Sequence, residues 1–282
     1  NEPLGVEVKE TKYTLDRDTK INLIINSIIE SQKVKPMQPV LIVVSNYDEI
    51  KIIEEALKKN NIDFNTLTAT TPKEDEALII SQAGVPGAVT ISTEMAGRGT
   101  DIKVGGDRET IIDIATERHI KNLERKQGVA LDFSPSERLY LRDKVEKALV
   151  NQVWSKEEEE KNRQELDNTG LKVISSGFFE MRRVDKQLEG RTGRNGISGV
   201  CERFVCPEDL KNIGVSSLDS KDSIESFLNK FEKNIDGSIK INEKTYYAIS
   251  EKIKAIQKNK EEEIKERIKT SQKLNSYATK MV

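Results

Sequence analysis

Two stretches of the 282-residue sequence concentrate glycine with arginine. Thr93 to Ile102 contains Gly97, Arg98, Gly99 and Asp101, and Arg182 to Gly196 contains Gln187, Gly190, Arg191, Gly193 and Arg194. Glycine lets backbone approach a ligand closely or adopt positive φ. Arginine supplies a forked, permanently charged donor suited to phosphate oxygens. Arg191 and Arg194 stand about one helical turn apart, a spacing that lets both reach one phosphate group. One such cluster reads as a tight turn with a surface arginine; two of them read as a phosphate-facing edge. Each follows an apparent strand, which predicts that both emerge at the carboxyl edge of a sheet, where α/β folds bind ligands. Asp101 reads as a helix N-cap or arginine partner on one account, and as a nucleotide contact or inter-domain latch on the other.

The flanking elements alternate. Val40 to Val44 is continuous and β-branched, which predicts a buried strand, and Ser45 to Asp48 then opens a helix carrying Ile50, Ile53 and Leu57. Phe64–Leu67 and Ala88–Ile91 are the next expected strands, with a helix over Lys73–Gln82 between them. Leu171–Ser175 leads into a helix carrying Val184 and Leu188, and Cys201–Cys206 closes the series. Strand, helix, strand, helix predicts an α/β fold, a parallel sheet flanked by helices. The charged run 107–168 breaks this rhythm and reads as a helical insertion, either a solvated spacer or a partner-contacting surface. From Asn242 onward, Tyr246, Ile249, Ile253, Ile256, Ile264, Ile268, Leu274, Ala278 and Met281 mark one long C-terminal α-helix with a narrow apolar stripe. That stripe is expected to pack back on the body or to continue into a further domain.

Composition narrows the classes. Charged residues are 33% of the chain, and 46 Lys+Arg nearly balance 48 Asp+Glu. A dedicated nucleic-acid binder usually carries a basic excess on its binding face. No apolar run approaches the roughly 18 residues of a membrane span, and no signal-peptide core follows Asn1. The missing initiator Met reads as a piece of something longer. Cys201, Cys206 and the distant His119 do not read as a metal site, so reduced packing thiols and a cytoplasmic setting are expected.

The motifs themselves carry a resemblance. Thr93–Ile102 resembles motif V, and Arg182–Gly196 resembles motif VI, of the second RecA-like domain of superfamily 2 motors. The fuller strings Gly87 to Gly106 and Arg182 to Arg194 are closely similar to the SecA family of preprotein-translocase ATPases, as is a helical insertion between the motifs. The resemblance covers about Tyr13 to Cys206 and extends more loosely into the terminal helix, similar to the start of a SecA scaffold helix. Departures are Glu189 where the family usually has arginine, Asn195 where it has glutamine, and altered stretches at Ser176–Met181 and Ile197–Gly199. They suggest an accessory, second-type SecA.

The resemblance implies a RecA-like motor domain over 1–215 and a helical extension over 216–282. It implies ATP and Mg²⁺ as cofactors, held mainly by a first motor domain, since no G-x-x-x-x-G-K-[ST] occurs in these residues. Arg191 and Arg194 become catalytic arginine fingers, and Gly97, Arg98, Gly99, Asp101 and Gln187 become nucleotide-contacting residues. Its implied partners are a SecY-type membrane channel and unfolded preproteins, with anionic lipid and a second copy as further contacts and no nucleic acid. The implied location is the cytoplasmic face of a bacterial membrane. The alternatives are a superfamily 2 nucleic-acid helicase domain, or a non-catalytic docking module.

Overall fold

The computed structural model describes residues 5–34, 37–94, 101–153, 169–193, 196–218 and 222–280. Its centre is β3 (Val40–Val44), whose five residues are all buried. Because successive side chains point to opposite faces, Val40, Ile42 and Val44 join one hydrophobic cluster, and Leu41 and Val43 join another. The strand therefore has helices on both sides. On the first face lie α1 (Arg17–Lys33) and α2 (Asp48–Lys59), placing Ile24, Ile28, Ile53 and Leu57 on the sheet. The second face carries Val184 and Leu188 of α6 (Arg182–Glu189).

The sheet has seven strands in the order β1-β7-β6-β3-β5-β4, with β2 also on β7, and every pairing is parallel. These are β1 (Val6–Val8), β2 (Lys12–Tyr13), β4 (Asn65–Leu67), β5 (Val89–Thr93), β6 (Leu171–Ser176) and β7 (Gly199–Val205). The register pairs Val40 with Val89 and Lys172, and Gly199 with Leu171 and Val6. Val40, Val89, Leu171 and Gly199 thus mark the amino edge, and Val44, Thr93, Ser176 and Phe204 the carboxyl edge.

The expected α/β class, a parallel sheet flanked by helices, is what the chain forms, and α3 (Lys73–Gln82) keeps its expected bounds. The alternation pattern named no element before Val40. There the structure adds β1, β2 and α1, the last capped by Asp16, whose Oδ1 accepts from the Thr19 N–H at 2.7 Å. Within the insertion, α4 (Arg108–Gln127) and α5 (Pro135–Val153) pack together through Arg142, which bonds Asp113 at 2.8 Å and also pairs with Glu109. Burial of Ile111, Ile112 and Ile120 fastens α4 to the body.

After β7 come α7 (Pro207–Asn212), α8 (Ile224–Leu228) and α9 (Glu243–Lys280). A third cluster unites Tyr13, Val205, Leu210 and Val215 with Ile224, Leu228, Ile249 and Ile253. The long stripe behaves in two ways. Its first half packs back on the body, whereas Ile264 and Ile268 are exposed. The side chains of Leu274 and Ala278, and Met281 altogether, lie outside the described residues. No helix among the described residues is long and apolar enough to cross a membrane.

Candidate functional site at the amino edge

Residues 101–106 lie along the sheet. Ile102 and Val104 pack on the cluster of Leu41, Val43, Leu171 and Val173, and the Gly105 N–H then bonds the Gly84 carbonyl at 2.8 Å. Gly84 precedes β5, so this segment has returned to the amino edge. Its fit is close: a Cβ at Gly84 would lie 1.9 Å from the Lys103 carbonyl oxygen.

The second cluster arrives there by its own helix. A helix that follows a parallel strand and packs on the sheet runs back antiparallel to it. α6 therefore starts beside the carboxyl edge and ends at the amino edge, where the Gly190 and Arg191 N–H groups close its last turn on Lys186 and Leu188. The next residue, Thr192, is buried and donates its hydroxyl to the carbonyl of Leu171, the first residue of β6, at 2.5 Å. Gly193 takes φ +68°, and a Cβ there would lie 2.1 Å from the Val6 side chain. Only glycine fits that corner without displacement.

Asp101, Lys103, Gly106, Arg191, Thr192 and Ile197 are thereby brought around one cavity of about 240 Å³. Arg191 is half-buried at its wall, and Asp101 and Lys103 are exposed. Lys103 also bonds Asp107 at 2.9 Å. Burial opposes ionisation of Asp107, but the Lys103 ammonium and the Thr110 hydroxyl outweigh it and hold the carboxyl below its ordinary value. The cavity lining thus includes an arginine and a lysine, side chains of the type that match phosphate oxygens, beside one carboxylate, Asp101.

The expected position at the carboxyl edge is corrected for Asp101 and Arg191, which lie at the opposite edge. The physical reason for Arg191 is that α6 runs back antiparallel to β6 and carries it to the far edge, while Asp101 adjoins Ile102 and Val104, which pack on the sheet on the way to Gly84. The carboxyl-edge crevice between β3 and β6 is closed. The Ser45 N–H and hydroxyl both bond the Ser176 carbonyl, at 3.3 and 3.1 Å, and Gly177 at φ +88° leaves no space for a Cβ against Ser45 and Asp209. Beneath them, buried Lys20 bonds both Asp209 oxygens at 2.9 Å and pairs with buried Glu49. Burial raises the Glu49 carboxyl. For Lys20 burial works downward, but the two carboxylates outweigh it and raise the ammonium.

Gln187 is exposed on α6, away from the cavity lining. Gly97, Arg98, Gly99 and Arg194 lie outside the described residues, as does Asn195. Glu189 pairs with Lys186 at 2.7 Å within α6. Pattern reading missed Lys103 and Thr192. The lysine directly follows the first cluster, and the threonine sits between the two glycines of the second, which is the signal that could have found them. Cys201 and Cys206 are buried free thiols, pushed by burial up to about 11 and about 12. Among the described residues no cluster of His, Cys, Asp or Glu is placed to hold a metal ion.

Comparison with known proteins puts this arrangement in context. Proteins named protein translocase subunit SecA are similar over most of the chain. The one from Pseudomonas putida F1 is 33% identical over 228 residues, 81% of this chain and 21% of its own length. That of Ehrlichia chaffeensis is 32% identical over 204 residues, 72% of this chain and 21% of its own, and that of Wolbachia pipientis wMel is 32% identical over 225 residues, 80% and 22%. The chain thus spans about a fifth of these relatives' length. A crystal structure of the C-terminal part of the Fun30 ATPase domain aligns with a TM-score of 0.37 and 14% identity over 86% of this chain and 54% of that one, too distant to carry weight. Residues 8–236 match the family model of the SecA P-loop domain, and with its RecA-like parallel sheet the chain belongs to that family.

Proposed function

We propose that the chain is the second half of the ATP-driven motor of a SecA-type protein translocase. Residues 1–215 form the second RecA-like domain, and 216–282 the extension that begins the scaffold helix. The supporting observation is the convergence of Asp101, Lys103 and Arg191 on one cavity at the amino edge. Two sequence-distant cationic segments facing one opening suit a phosphate held from the other side by a partner domain.

Bound ATP with Mg²⁺ supplies the phosphoanhydride that is cleaved. Arg191 and Arg194 act as arginine fingers, placing fixed positive charge where negative charge develops on the γ-phosphate. Gly97, Arg98, Gly99 and Asp101 line the same cleft, with Gln187 as a further polar contact. The metal and the attacking water are held by the first motor domain, so the 282 residues by themselves do not hydrolyse ATP. Closure of the two domains carries the arginines onto the nucleotide, and opening withdraws them, which turns the reaction into relative domain movement. That movement drives unfolded preproteins through a SecY-type channel at the cytoplasmic face of the bacterial membrane. Anionic lipid and a second copy are further contacts of the complete protein, and the divergent motif VI fits an accessory SecA.

The test is Arg194→Ala in the complete protein. Turnover should fall by about 10³-fold or more with nucleotide affinity largely kept. Turnover near the unaltered level would remove the finger role.

A further inference from the structure

The long helix α9 leaves the body over the single turn that follows Gln257. Tyr246, Ile249, Ile253 and Ile256 seat its first turns on the third cluster, Gln257 is 2% exposed, and residues 262–272 are all exposed. Gln257 lies four residues after Ile253, on the same buried face of the helix. A buried amide at such a place costs stability unless its hydrogen bonds are made. Here they are made to the motif VI region. Gln257 Nε2 donates to the Phe179 carbonyl and to Asp185 Oδ2, both at 2.7 Å.

Asp185 belongs to α6, the helix whose end carries Arg191. Its second oxygen pairs with Arg203 at 3.0 Å, and the Arg203 guanidinium lies 4.3 Å from the centre of the Phe178 ring. Oδ1 has this charge contact but no hydrogen bond, so among the described residues the side-chain hydrogen bond to the carboxylate is the one from Gln257. The Lys260–Glu180 pair that follows, at 2.8 Å, is largely exposed and holds little. Gln257 is therefore the last firm tie between the arm and the body.

We propose that Gln257 is a positioning residue that joins α9 to α6, so that displacement of the Arg191 end of α6 redirects the exposed arm. The proposal rests on the motor reading above for its biological use. Its geometry acts as a fulcrum: from Gln257 to Gln272 the helix extends about 22 Å, so a tilt of about 10° at the joint moves its end by about 4 Å.

The test places nitroxide labels at Lys51→Cys on α2 and Lys269→Cys on α9 of the 282-residue chain. Cys201 and Cys206, 3% and 1% exposed, stay unlabelled. With Gln257 in place, pulsed electron resonance should read one narrow distance. Gln257→Met, which keeps length and volume, should lose it to a broad distribution, while Glu180→Gln keeps it. Where the Met variant does not fold by circular dichroism, Gln257→Asn, one methylene shorter, is scored the same way. An unchanged narrow distance in the folded variant overturns the joint. In the complete protein, MgATP should shift the distance when Gln257 is present and not in Gln257→Met, with ATP turnover persisting in both; a shift that survives in Gln257→Met overturns the coupling. Absence of turnover in the unaltered protein would overturn the motor reading alone, since the distances in the 282-residue chain still decide the joint.

Discussion

Glu202 on β7 takes an ion pair from Lys9 at 2.7 Å, a hydrogen bond from the Ser27 hydroxyl, and a longer approach from Lys172 at 3.7 Å. Burial opposes its ionisation, yet the Lys9 and Ser27 bonds outweigh it and hold its carboxyl below the ordinary value of 4.5. A carboxyl with a lowered folded pKa contributes stability above its unfolded pKa and loses it as pH falls through the folded value. Glu202→Gln should therefore cost about 1–3 kcal/mol at pH 7, with the deficit shrinking toward pH 3 when urea midpoints are compared. An equal deficit at both pH values would reject the charge account. At this scale residue type was legible in the sequence while residue partnership was not. Arg191 and Asp101 stood out by composition, but nothing in spacing tied Gly193 to Val6 or Thr192 to Leu171, because those contacts are made across the sheet.

Elements were more legible than their placement. The β-branched run Val40–Val44 and the helix Lys73–Gln82 follow from period and composition. α1 went unnamed although Ile21, Ile24, Ile25 and Ile28 keep the i, i+3, i+4, i+7 spacing of a buried helix face and Asp18, Asn22, Asn26 and Glu30 form an exposed polar row; buried Lys20 and Leu23 only blur that period. The edge assignment fails for Asp101 and Arg191 because a strand followed by a glycine-arginine cluster says where the segment starts, while these two residues lie where it ends. The terminal helix shows the complementary limit, since its stripe is continuous in sequence but Ile264 and Ile268 are exposed where Ile249 and Ile253 are buried. Ile249→Ala should cost about 2–5 kcal/mol as a cavity in the shared cluster, and Ile268→Ala less than about 0.5 kcal/mol. Thermal or urea unfolding measures both, and equal costs would mean that the arm is covered along its length.

On the scale of the whole molecule, the two edges of the sheet differ in construction. One is closed by Ser45, Ser176 and Gly177 over the Lys20–Glu49–Asp209 ion cluster, which ties α1, α2 and α7 together. The other remains open, with Arg191 and Lys103 on its cavity wall. The central claim is that nucleotide meets the open edge through Arg191. The direct measurement is MgATP turnover and nucleotide affinity of the complete protein carrying Arg191→Ala, beside Tyr47→Ala on the exposed turn of the closed edge. The account predicts that Arg191→Ala lowers turnover by about 10³-fold or more with affinity largely kept, and that Tyr47→Ala changes neither. Normal turnover in Arg191→Ala, or a comparable loss in Tyr47→Ala, would contradict it.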